Sequence, residues 1–171
     1  GIGAFGIACY YTPFVYMIGN AVAQSAQPII SYNYGCGDSC RVRSTLRVAL
    51  LAAVVCGGSV STAFVFFPYQ LVELFINTNE AAFPLAVKGF PLMATAFVFF
   101  IVNLTLIGYY QSVERVRPAM VFALLRGIFF LVPCFLVLPL WFDETGIWIA
   151  LGMSEMLTTL CIIGYMWHGN R

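Results

Sequence analysis

The chain has 171 residues, 61% of them hydrophobic and only 9% charged, with Lys plus Arg at 8, Asp plus Glu at 7 and a net charge of +1. A soluble domain carries about 25% charged residues, so a water-soluble fold is all but excluded. The arginines fall in short loops and form no basic face, so nucleic-acid binding has no support. The chain opens directly in an apolar run, with no initiating Met and no signal-peptide pattern, and reads as part of a longer protein.

A helix that spans a bilayer needs about 20 mostly apolar residues. Five segments qualify, at approximately 5–30, 46–67, 90–110, 119–140 and 147–167. They predict an all-α integral membrane protein. In the first, Thr12, Tyr16, Asn20 and Gln24 follow at i+4 and Gln27 lies one turn beyond, giving a polar stripe on an apolar helix. An amide left unpaired in hydrocarbon is costly, so this stripe should meet protein or water. Pro13 should kink the helix, because proline removes a backbone donor and crowds the preceding turn. Ser31 to Arg43 then reads as a polar elbow leaving the membrane, with Asn33, Gly35, Arg41 and Arg43 as its marked residues.

The second segment carries Ala49, Ala53, Gly57 and Ser61 at i+4, a small-residue stripe that lets another backbone approach closely. Tyr69 to Asn79 is a short connector, where Leu71, Leu74 and Phe75 suggest an interfacial turn. Asn77 followed by Glu80 resembles a capping box, which predicts a helix restart there. Pro84 and Pro91 stand near the start of the third span, where proline is best tolerated. Inside that span Thr95, Phe99 and Asn103 form a second stripe at i+4, with Tyr110 two turns further. Gln111 to Arg117 is a charged hinge, Pro118 opens the fourth helix, and Pro133 with Pro139 disturbs its far half. Asp143 to Gly146 is a tight turn before the fifth span. Trp141, Trp148 and Trp167 fall near span ends, as interfacial anchors do.

The arginines give the topology. Arg41, Arg43 and Arg47 mark the first connection, and Arg115 with Arg117 marks the third. The second has no basic residue before Lys88, and the fourth has only Asp143 and Glu144. Basic residues favour the cytoplasmic side, so connections one and three lie inside and the carboxyl end is cytoplasmic.

The two polar stripes reach mid-membrane depth. Either they hydrogen-bond between helices or they line a wet cavity, and Tyr16, Asn20, Gln24, Phe99 and Asn103 are the candidate wall. Arg126 lies about 12 Å of helix beyond Pro118. Its side chain is expected to snorkel back to the cytoplasmic surface. The alternative is a pair with Glu155, the one acid placed firmly inside a span. Glu155 is a functional candidate on that ground, as a proton carrier, a cation site or a partner of Arg126. Cys36 and Cys40 fall in a loop read as cytoplasmic and reducing, and the single histidine, His168, is far away, so no metal site is expected. No acid–base or nucleophile constellation suggests an enzyme. No cofactor is expected beyond a coupling ion, proton or sodium.

A-Q-P-I-I-S-Y-N-Y-G, followed shortly by R-V-R, resembles the multidrug and toxic compound extrusion (MATE) transporters. Leu74-Phe75 with Asn77 to Glu80, Tyr109-Tyr110-Gln111-Ser112 with Arg117-Pro118, Leu125-Arg126 with Pro133, Gly146-Ile147-Trp148, and Ser154-Glu155 extend the resemblance in order along the chain. The bacterial branches that include the DinF-like and MepA-like proteins are nearest. The resemblance implies a two-lobed protein of twelve helices, with this chain as the eighth to twelfth, so that 1–171 forms most of the carboxyl-terminal lobe. It implies antiport of protons or sodium against organic, often cationic, drugs, by alternating access in the plasma (inner) membrane. The implied partners are the bilayer, the drug, and the seventh helix and amino-terminal lobe of the same protein. Some members carry a coupling acid in the tenth helix, and the matching span here has none. Two other functions remain: a flippase for lipid-linked sugars, for which only Arg126 offers a basic cavity residue, and a non-transporting membrane scaffold.

Overall fold

The computed structural model describes residues 2–74, 77, 79, 81–142 and 144–169, with side chains described outside 2–12, 82, 85, 144, 145 and 147. All regular structure among them is helical. The helices are α1 (Ile2–Gly35), α2 (Ser39–Phe66), α3 (Pro68–Glu73), α4 (Ala82–Ser112), α5 (Val116–Leu124), α6 (Leu131–Phe142) and α7 (Glu144–Gly169), with a π-helical stretch, Leu125–Phe129, between α5 and α6. Among the described residues, four helical segments are long and apolar enough to cross a membrane: Ser39–Phe66, Ala86–Ser112, Val116–Phe142 and Trp148–Gly169. The first expected span falls on α1, whose early side chains lie outside the described residues.

Three local expectations are revised. α1 stays helical through Pro13 and Pro28 and continues to Gly35, so Ser31 to Gly35 belong to a helix and the elbow shrinks to Cys36, Gly37 and Asp38. α4 begins at Ala82 with Ala81 as its cap and no side-chain capping bond, so Asn77 is not the cap. Phe75, Thr78, Glu80 and Asp143 lie outside the described residues, as do the side chains of Thr12 and Glu144. The fourth helix is disturbed at Leu125–Phe129, ahead of Pro133, and α6 runs on through Pro139. Pro133 has no N–H for the carbonyl of Phe129 and its ring crowds that carbonyl, so the α-ladder cannot run through this turn. The chain takes up one extra residue instead, and the Phe130 amide donates to the Leu125 carbonyl five residues back, at 2.8 Å.

α4 is the central column, packed by α1, α2 and α7. Small residues bring the backbones together. A Cβ on Gly57 of α2 would lie 2.8 Å from Val98 Cα, and one on Gly152 of α7 would lie 3.2 Å from Thr95 Oγ1. The Ala49, Ala53, Gly57, Ser61 stripe therefore is a packing seam: the first three are buried, and the Ser61 hydroxyl donates to the Ala94 carbonyl of α4. The core around it joins Phe64, Phe90, Met93, Phe97 and Ile101 to Trp148. Outward-facing Val48, Leu51, Val55, Leu136 and Leu160 remain exposed. Apolar surface of that kind suits hydrocarbon, where it has no water to avoid.

α1 and α4 end alike. Gly37 has φ 75, its amide donates to Tyr34 O at 3.1 Å, and the Asp38 amide reaches Asn33 O at 3.0 Å. Glu114 has φ 61, its amide donates to Gln111 O at 3.2 Å, and the Arg115 amide reaches Tyr110 O at 2.9 Å. Both are Schellman closures, which satisfy carbonyls the helix leaves open and require a left-handed residue at the turn. Asp38 then caps α2, accepting from the Arg41 amide at 3.1 Å, with the Arg41 side chain 3.5 Å away.

Candidate functional site

The strongest polar constellation is built where α4, α7 and the π-helical stretch meet. Arg126 lies within that stretch, and its Nε donates to Glu155 of α7 at 2.9 Å to Oε1 and 3.1 Å to Oε2. The Glu155 side chain is 3% exposed and that of Arg126 18%. Asn103 of α4 is fully buried, and its Nδ2 donates to Glu155 Oε2 at 2.7 Å and to the Glu155 carbonyl at 3.0 Å. Asn103 Oδ1 accepts from the Thr159 hydroxyl at 2.7 Å. Every polar atom of the Asn103 amide is thus engaged, and both carboxylate oxygens have donors. Arg126 Cζ also lies 4.2 Å from the centre of the Phe100 ring, which meets the Tyr16 ring of α1 edge-on at 6.1 Å.

The network sits deep. Asn103 is about 14 Å of helix from the end of α4, Arg126 about 15 Å from the start of α5 and Glu155 about 21 Å from the end of α7. A hydrocarbon core is about 30 Å thick, so all three lie near its middle. An ionisable side chain at that depth is costly unless it meets a partner, and here the guanidinium and the carboxyl meet each other. The π-helical insertion is what aims Arg126. Each residue of helix turns the side chain by about 100°, so one extra residue resets the faces of α5 and α6 relative to each other. Such insertions recur at functional sites.

The expected side-chain placements divide accordingly. Arg126 does not snorkel; it turns to Glu155, because the carboxylate is within reach and Asn103 already orients it. Asn103 is not on an open wall, since its amide is consumed between α4 and α7. Phe99 shares its flank at i−4 and is half-buried. The stripe of Thr95, Phe99 and Asn103 therefore faces α7, and the residue that meets α1 and Arg126 is Phe100, one position on. On α1, Tyr16 and Gln24 are exposed and Asn20 half-buried, on one side of the helix. The Gln27 amide rests against Gly108 of α4, where an added Cβ would lie 2.8 Å from its Nε2. At the elbow, Asn33 is buried with its amide on the Ile29 carbonyl at 2.9 Å, Gly35 ends α1, and Arg41 and Arg43 are exposed in the first two turns of α2. Cys36 and Cys40 are free and exposed, and among the described residues no group of three or more His, Cys, Asp or Glu converges on a metal site. Phe100 and Thr159 were not singled out from sequence. Thr159 carries a detectable signal, four residues after Glu155 on the same face.

Comparison with known proteins agrees with this architecture. The MatE family model matches residues 1–136. The "Probable multidrug resistance protein NorM" of Rhizobium meliloti (strain 1021) is 29% identical over 154 residues, covering 86% of this chain and 33% of that protein. The chain thus spans about a third of the length of the curated relative it matches. The MATE multidrug transporter DinF-BH, solved in complex with R6G, superposes with a TM-score of 0.84 at 26% identity, over 98% of this chain and 37% of that one. A helical membrane fold that carries an acid–base pair at mid-depth is here matched to its kin by sequence and by shape: the chain belongs to the MatE family, the multidrug and toxic compound extrusion transporters.

Proposed function

We propose that this chain forms most of the carboxyl-terminal lobe of a secondary drug antiporter, which exports organic cations against an inward flow of protons or sodium by alternating access. The observation that carries the reading is the superposition of nearly the whole chain on a MATE multidrug transporter. The lobe completes its cleft with the seventh helix and the amino-terminal lobe of the same protein. Its carboxyl end faces the cytoplasm of the plasma membrane, in line with Arg41, Arg43, Arg47, Arg115 and Arg117 all lying at one end of the bundle. Tyr16, Asn20 and Gln24, on the uncovered side of α1, are the cavity wall on this reading. Phe100 and the half-open edge of Arg126 continue it past α4.

Glu155 acts in this scheme as half of a pair. Its ionised form holds Arg126, Asn103 and the π-helical stretch in one arrangement. A proton on the carboxylate weakens that hold and frees the guanidinium toward Tyr16 and Phe100. In an efflux-deficient bacterial host, expression of the full-length protein should lower ethidium accumulation, and ionophores that collapse both ion gradients should restore it. Accumulation equal to that of an empty-vector control, with or without ionophore, would sink the proposal.

A further inference from the structure

The two Schellman closures and the last turns of α7 surround a cavity of about 360 Å³ at one end of the bundle. That volume falls in the lower part of the range of small-molecule sites, roughly 300–1,000 Å³. Its walls include Tyr34 of α1, Arg43 of α2, Tyr109 and Tyr110 of α4, Arg115 of the α4–α5 turn and Tyr165 of α7. No acidic residue lines it among the described residues. Its floor is held by ring contacts. Tyr110 meets Tyr109 at 5.3 Å, Tyr165 at 5.8 Å and Phe122 at 5.5 Å, and Phe122 meets Tyr165 at 5.5 Å. The Arg115 amide is tied to the Tyr110 carbonyl at 2.9 Å, so the second arginine starts from a fixed point.

We propose that this cavity binds a phosphate group, supplied by the headgroup of an anionic phospholipid. Two guanidinium groups match phosphate oxygens as planar forks. Tyrosine hydroxyls donate to the remaining oxygens, and their rings form the apolar floor beneath the pair. Both arginine side chains are exposed, so they reach outward to the headgroup level. The cavity lies at the ends of α4 and α7, where a bilayer presents its phosphates, and basic pockets between spanning helices suit anionic headgroups. Two arginines in the walls favour an anion over an organic cation there. The orientation proposed above decides only which leaflet supplies the lipid.

The test uses the purified full-length protein, delipidated in detergent, with Tm followed as short-chain phosphatidylglycerol, short-chain phosphatidylcholine or inorganic phosphate is added. Phosphatidylglycerol should raise Tm and phosphatidylcholine should not. Arg43→Gln with Arg115→Gln should weaken the phosphatidylglycerol response at least about tenfold in concentration, since each arginine supplies a charge-assisted contact. Arg43→Lys with Arg115→Lys keeps the charge but loses the planar fork and should retain only part of it, and Arg47→Gln, an exposed α2 arginine outside the cavity, should keep all of it. An equal response to phosphatidylcholine, or an unchanged response in the Arg43→Gln, Arg115→Gln variant, overturns the proposal. A shift by inorganic phosphate that equals the lipid's and vanishes in that variant overturns the lipid source and upholds the phosphate site. Ethidium efflux by the same variants reconstituted in sealed proteoliposomes reports on the transport reading independently.

Discussion

Cutting the Arg126–Glu155 pair tests the central geometry. Glu155→Leu removes the acceptor that Arg126 Nε reaches at 2.9 and 3.1 Å, and removes one of the two acceptors of Asn103 Nδ2. Removing one partner of a buried pair costs about 3–5 kcal/mol, because the survivor is left charged. Arg126 keeps the Phe100 ring at 4.2 Å and an 18% exposed edge, which places Glu155→Leu near the low end, about 3 kcal/mol. Arg126→Met leaves the more deeply buried carboxylate with Asn103 alone, and should cost at least as much. The double variant leaves no unpaired charge, and replacing a whole pair by apolar groups is close to neutral. Its loss should be about 1 kcal/mol, since Asn103 still holds the Glu155-position carbonyl and Thr159, and intramembrane hydrogen bonds average about 0.6 kcal/mol. The double variant should thus lose about 1 kcal/mol where the singles together lose about 6, a coupling of about 5 kcal/mol. Unfolding the full-length protein by SDS titration in mixed micelles measures all four species. A double variant that loses the sum of the two singles would refute the pairing.

Further outcomes follow from single contacts. Gly89→Ala drives a methyl into the buried Trp148 ring, a clash between the backbone of α4 and that ring, and should cost about 1–3 kcal/mol in the same titration. Glu114→Gly relieves a non-glycine residue of its positive φ and should stabilise by up to about 1 kcal/mol, seen as a raised Tm; a lowered Tm would contradict the closure described for α4. A cysteine at Gln24 in a cysteine-free background should react with a water-soluble maleimide, whereas one at Asn103 should stay unlabelled in the folded protein. Equal labelling at both would contradict their assignment to a cleft face and a buried seam.

Much of the fold was legible because it rests on hydropathy and proline. Segments 90–110 and 147–167 lie within observed helices, 46–67 runs one residue past the end of α2, and 119–140 crosses one interruption. The small-residue stripe on α2 was legible as a seam, since Ala49, Ala53 and Gly57 leave no other use for their spacing. The boundaries failed where capping decides them. Tyr32, Asn33 and Tyr34 look like loop residues, yet α1 keeps them until Gly37 supplies a left-handed residue. The π-helical stretch was half visible: Pro133 announced a defect, but its placement one turn earlier follows from the Phe129 carbonyl that proline cannot satisfy. The Thr95, Phe99, Asn103 stripe was visible as a polar face on an apolar helix, with an interhelical seam and a cavity wall both open. Periodicity names a face, however, and not the neighbour it meets. Because α4 is surrounded, that face turned out to meet α7, with Phe100 toward α1. The same limit applied to Arg126 and Glu155. Each stood out as an ion in hydrocarbon, but whether they meet across 29 positions depends on helix crossing and on the inserted residue.

The most direct test of transport is ethidium efflux from proteoliposomes that contain the purified full-length protein and dye, with a proton or a sodium gradient imposed separately across the membrane. Expected is efflux that accelerates when one gradient is applied inward and stops when it is collapsed, with Glu155→Gln slowing it relative to wild type at equal protein content. Efflux that proceeds at the same rate under both gradients and under neither would contradict antiport.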